Sequence, residues 1–157
     1  MKLLLIMVGK TDNPPYNRLI NDYADRIAHY IPFEQIVIPD IRKTENLAPS
    51  IRRDKEGELI LRALRPGDCC ILLDEKGREY TSVEFSEFIG KHINAGSKRL
   101  AFVVGGPYGF GQKVYAAAAG MVSLSRMTFS HQMVRLIFIE QAYRAMTILK
   151  NEGYHHG

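Results

Sequence analysis

Long uninterrupted apolar runs mark this chain more strongly than alternating ones. Leu3 to Val8 is apolar throughout and closes at Gly9, and Cys69 to Leu73 and Leu100 to Val104 repeat the pattern. A strand apolar at every position is buried on both faces, as in a parallel sheet sandwiched between helices. Segments of helical spacing lie between these runs. Tyr16, Leu19, Ile20, Tyr23 and Ile27 follow the break at Asn13-Pro14-Pro15. Leu59, Ile60, Ala63 and Leu64 predict a helix from about Asp54 to Leu64, ended by Pro66-Gly67. Phe85, Phe88, Ile89 and Ile93 predict another from Ser82 to near Gly96. An Ala-rich helix over Gln112 to Ala119 and a long one from about His131 to Lys150, capped by Ser130, complete the set. Ile36 to Ile38 and Met121 to Ser125 read as short strands, and Asp74 to Gly77 as a turn. Alternating strands and helices predict one α/β domain over residues 1–157, with a mostly parallel sheet covered on both faces.

Composition narrows the function classes. The 46% apolar fraction supports an ordinary core and excludes a disordered chain. Leu3 to Val8 is too short for a secretory signal, and no run approaches the ~20 apolar residues of a membrane span, so a cytoplasmic location is expected. The net charge of +4 leans toward anionic partners such as RNA. The basic residues Arg42, Lys43, Arg52, Arg53 and Lys55 form either a solvated face or an RNA-facing patch. Cys69 and Cys70 are adjacent, so they are expected on opposite faces of a strand rather than in a disulfide, as suits a reducing compartment. No metal site is expected, because Cys69, Cys70, His131, His155 and His156 lack compact ligand spacing.

In open α/β sheets ligands bind beyond the carboxyl ends of the strands. Three ends attract attention: Leu73-Asp74, the glycine run Gly105 to Gly111, and Leu124 to Phe129. The glycine run is neither a dinucleotide fingerprint nor a phosphate loop, and reads as a ligand turn or a plain tight turn. The segment Leu124-Ser125-Arg126-Met127-Thr128-Phe129 mixes amides, hydroxyls and apolar groups, which suits an adenine; it also fits an ordinary strand-to-helix connection. Glu140 and Arg144, four apart on one helix face, form a stabilising ion pair or a substrate-positioning pair. The tail Tyr154-His155-His156 is expected to fray.

These same residues carry a resemblance. Phe102-Val103-Val104-Gly105-Gly106-Pro107-Tyr108-Gly109, then Ser123-Leu124-Ser125-Arg126-Met127-Thr128-Phe129-Ser130-His131-Gln132-Met133-Val134-Arg135, then Glu140-Gln141-Ala142-Tyr143-Arg144-Ala145 and Tyr154-His155-His156, resemble the RlmH family. Those SPOUT-superfamily enzymes methylate N3 of a pseudouridine in 23S ribosomal RNA. The resemblance covers essentially the whole chain and departs from the family at Tyr108 and Arg126, which occupy variable places. It implies a SPOUT-type fold with a C-terminal trefoil knot, a homodimer, and S-adenosylmethionine (SAM) as methyl donor, with the ribosome as partner. It places the donor on Leu73, Gly105, Leu124, Ser125, Arg126, Met127, Thr128 and Phe129, and substrate handling on Glu140, Arg144, Tyr154 and His155.

Those assignments define an expected mechanism. N3 of pseudouridine must lose a proton and meet the methyl at about 3–3.5 Å. Arg144 and Tyr154 would donate to the developing anion, His155 would take the proton and Glu140 would orient Arg144. The rival readings are a SPOUT enzyme acting on tRNA or on a ribose oxygen, a non-catalytic RNA-binding module, and a flavodoxin-type nucleotide binder.

Overall fold

The chain folds around a five-stranded sheet of order β2-β1-β4-β3-β5, and every strand pair is parallel. The structure, a computed structural model, describes residues 1–41 and 46–157; Arg42 and Lys43 of the basic stretch lie outside the described residues. In chain order the elements are β1 (Lys2–Val8), α1 (Pro14–Ala28), β2 (Phe33–Ile38), α2 (Pro49–Ala63), β3 (Cys69–Glu79), α3 (Ser82–Asn94), β4 (Arg99–Val104), α4 (Gln112–Ala117), β5 (Gly120–Ser123) and α5 (His131–Leu149).

The apolar runs are buried on both faces for the reason the pattern implied. Strand side chains alternate, so Leu3, Leu5 and Met7 meet α1, α3 and α5, while Leu4, Ile6 and Val8 meet α2 and α4. Cys69 and Cys70 part in the same way, and burial pushes the Cys70 thiol up to about 11. Phe102 and Phe138 lie at the centre of the first layer, with ring centroids 4.8 Å apart.

Two departures from expectation are the largest; β2 also begins earlier, at Phe33, and α4 and β5 end two residues sooner, at Ala117 and Ser123. Helix α2 begins at Pro49, several residues before Asp54, because proline is well placed in a first turn where the missing N–H is no loss. The turn at Asp74 to Gly77 is a bulge inside β3. Leu73 and Arg78 both pair with Val122, so the four residues between them loop out, and Asp74 Oδ1 accepts the Lys76 N–H at 2.8 Å.

Helix ends follow local chemistry. Ser130 caps α5 through Met133 N–H, and Thr81 forms a reciprocal capping box with Glu84 at the start of α3. Thr81→Ala is expected to lower stability by about 1 kcal/mol in urea unfolding, with the folded-state circular dichroism at ambient temperature unchanged.

Candidate active site

A cavity of about 810 Å³ opens beyond Leu73 of β3 and Val104 of β4. The glycine turn bounds one side of it and the β5–α5 connection another. Leu73, Gly105, Leu124, Ser125, Met127, Thr128 and Phe129 all line it. Arg126 is absent from the described lining; its side chain is 88% exposed and pairs with Glu79 at 3.5 Å.

The shape of each wall has a local cause. Ser125 Oγ accepts the Met127 N–H at 2.9 Å, and Ser123 Oγ donates to the Ser125 carbonyl at 3.0 Å, which folds the chain back at the end of β5. Gly109 takes φ +75° and bridges to Gly106, closing the glycine turn. At Gly106 a Cβ would collide with the buried Glu56 carboxylate, so the turn lies flat on α2. Glu56 is held by Arg52 Nε at 3.2 Å, and burial pushes its carboxyl above the usual range.

Among the lining residues, Tyr115 and Val134 carry no signal of their own in the sequence, while Arg53 stands out only as part of a basic stretch and His131 only as an unsuited metal ligand. Asp74 belongs to one of the three strand ends expected to meet a ligand, and no role of its own is legible there. Its Oδ2 accepts Tyr115 OH at 2.5 Å; burial and that carboxylate push the Tyr115 phenol up to about 12. Arg53 belongs to the stretch read as solvated or RNA-facing, yet it reaches this cavity.

Arg135 is a further residue whose role was not legible. It is fully buried, donating from Nη2 to the Val8 carbonyl at 2.6 Å and from Nη1 to Thr11 Oγ1 at 2.9 Å. Gln132 Oε1 accepts the Asn13 N–H at 3.1 Å, so the first turn and a half of α5 is tied to the loop after β1. Burial lowers the Arg135 pKa, opposed by Asp40 and Asp12.

Glu140, Arg144, Tyr154 and His155 gather in a second place. Arg144 Nη2 donates to Glu140 Oε1 at 2.6 Å, and Tyr154 OH donates to the same oxygen at 3.0 Å. Arg144 Nη1 lies 3.3 Å from His155 Nδ1, and the guanidinium sits 4.8 Å from the centre of the Tyr154 ring. An arginine only donates, so His155 Nδ1 accepts and its ring proton sits on Nε2. Burial, with Tyr23 and Glu140 alongside, pushes the Tyr154 phenol well above the usual tyrosine range. The tail therefore does not fray as expected: Tyr154 packs edge-on against Tyr143 at 4.8 Å and its hydroxyl is held by Glu140.

The two groups do not meet in one chain. None of these four residues appears in the described lining of the cavity. Val134 does, and Arg144 lies ten positions further along α5, about 15 Å at the helical rise.

Comparison with known proteins agrees with the geometry. A family model described as "Predicted SPOUT methyltransferase" matches residues 1–155. The protein named Ribosomal RNA large subunit methyltransferase H from Parabacteroides distasonis is 60% identical over 156 residues, covering 99% of each chain. Proteins of the same name from Christiangramia forsetii and Phocaeicola vulgatus are 55% and 54% identical, again over 99% of each chain.

Proposed function

The chain belongs to the SPOUT methyltransferase family, alongside the ribosomal RNA large subunit methyltransferases H, and on that premise we propose that it moves the methyl group of SAM to N3 of a pseudouridine in 23S ribosomal RNA. One observation carries the reading most of the way. The glycine turn after β4 and the Leu124 to Phe129 segment after β5 line a single cavity. Leu124, Phe129 and Val134 offer apolar cover for an adenine, and the loop supplies backbone amides to its ring nitrogens.

In the proposed reaction the N3–methyl bond forms as the carbon–sulfur bond of the sulfonium breaks, and the N3 proton leaves. The chain aligns the two reacting atoms and steadies the charge that develops on the base. Arg144 and Tyr154 donate to that charge. At rest Glu140 accepts from both of them, so the single Tyr154 O–H turns away from Glu140 to donate to the base. His155 takes the proton; its Nδ1 faces Arg144 at rest, so the base must displace that contact first.

The distance between the cavity and this cluster supports a homodimer, in which the cluster and tail of one subunit complete the cavity of its partner. A monomer in sedimentation under assay conditions would remove that arrangement. The strand order, with β5 outside β3 and α5 returning to pack against α1 and α3, supports the C-terminal trefoil knot. Work on the ribosome would place the protein in the cytoplasm; among the described residues no helix is long and apolar enough to cross a membrane.

Incubation with labelled SAM and ribosomes lacking the modification is expected to label 23S RNA at a pseudouridine. Label on tRNA, on a ribose oxygen, or on no RNA would overturn the assignment. His155→Ala is expected to slow transfer by about 10–100-fold with SAM affinity near wild type. Unchanged turnover would remove His155 from the reaction.

A further inference from the structure

The cavity lining is of two chemical kinds. One is apolar, built by Leu124, Phe129 and Val134 from the β5–α5 side. The other is charged: Arg53 of α2, and Asp74, Glu75 and Lys76 of the β3 bulge, with Asp74 bound to Tyr115. Asp74 is a fixed negative charge there, because Tyr115 OH and the Lys76 N–H hold both of its oxygens in place. Arg53 is a cation of the opposite kind. Its Nε is buried with no hydrogen-bond partner among the described residues, and none of the ion pairs among them engages it. The neighbouring Arg52 is already committed to Glu56 and to the face of Tyr108.

A buried donor left without a partner is costly, and natural structures retain few of them. A guanidinium that lines a cavity with its buried Nε unpartnered marks a place where an anion belongs. SAM carries one anion, the carboxylate of its amino-acid end, next to an ammonium. With the adenine against the apolar residues, the zwitterion is left to the charged ones. Resting on the proposed donor, we propose that Arg53 binds the donor's carboxylate, with Asp74 accepting from the adjacent ammonium. A guanidinium presents a planar fork that matches a carboxylate, which a flexible lysine matches less well.

The test compares two donors that differ by that one group, SAM and decarboxylated SAM, in titration calorimetry with the full chain. Arg53→Met is expected to weaken SAM about 10–100-fold, the range for a charge-assisted contact. The same variant is expected to change decarboxylated SAM by less than about threefold. Arg53→Lys keeps the cation and should recover part of the SAM affinity. Equal losses for the two donors would overturn the proposal in favour of a purely structural role. Unchanged SAM affinity with weakened ribosome binding would overturn it in favour of a phosphate contact. A wild-type chain that binds neither donor would overturn the donor assignment itself, and this inference with it.

Discussion

Arg144→Ala is expected to lower the rate of methyl transfer by about 10²–10³-fold while SAM affinity stays close to wild type. The magnitude is that of removing one pre-positioned donor from a developing charge. The side chain has three simultaneous engagements: Glu140 Oε1 at 2.6 Å, His155 Nδ1 at 3.3 Å and the Tyr154 ring at 4.8 Å. Truncation at Cβ frees all three neighbours, so the loss includes their disorder as well as the missing donor. Arg144→Lys keeps the charge but cannot span Glu140 and His155 together, and should recover only a small part of the rate. Single-turnover assays with SAM near saturation separate the rate from binding. A variant that loses SAM affinity in proportion to rate would show that Arg144 supports the donor cavity instead.

Tyr154 adds a pH signature to the same cluster. Its phenol sits above the usual tyrosine range, so the neutral, donating form persists as pH rises, and is lost only when pH climbs through that elevated value. The rate should therefore show no fall from tyrosine ionisation up to about pH 10, the unperturbed tyrosine value. Tyr154→Phe should be slower than wild type across that whole range by a constant factor.

Gly77→Ala is expected to cost about 2–3 kcal/mol of stability and to weaken SAM binding. A Cβ at Gly77 would sit 2.7 Å from the carbonyl carbons of Met121 and Val122 and from Val122 N. These are backbone atoms of β5, so no side chain can swing aside, and the strand must shift bodily. Strand β5 leads straight into Leu124 to Phe129, and Val122 itself lines the cavity, so the displacement reaches the cavity where the donor is proposed to bind. Gly153→Ala is the control for stability: no atom lies within 4 Å of its Cβ and its φ is ordinary. Urea unfolding of the two variants decides the point; an unchanged midpoint for Gly77→Ala would mean β5 is softer than its packing implies.

Much of the cavity could be read along the chain because its parts are local. Gly105 and Leu124 to Phe129 sit where strands end, and strand ends announce themselves through apolar runs that stop at glycine or at mixed polar residues. Arg126 shows the limit of that reasoning. It lies inside the motif, but the fold turns its side chain outward to Glu79. Arg53 shows the opposite limit: a basic residue in a polar stretch gives no sign that a cavity two elements away will enclose it.

The residues alone determined the alternation of strands and helices, the burial of the strands on both faces, and the capping of α3 and α5. Each depends on side-chain period or on groups within about one turn, which chain order preserves. Tertiary structure alone decided that β3 lies between β4 and β5, that residues 74–77 bulge out, and that Arg135 is buried under the loop after β1. It also decided that the tail docks on α5 away from the cavity. Those outcomes rest on contacts between residues distant in sequence, where the balance of burial, desolvation and partner geometry is set by the assembled fold and leaves no periodic trace in the chain.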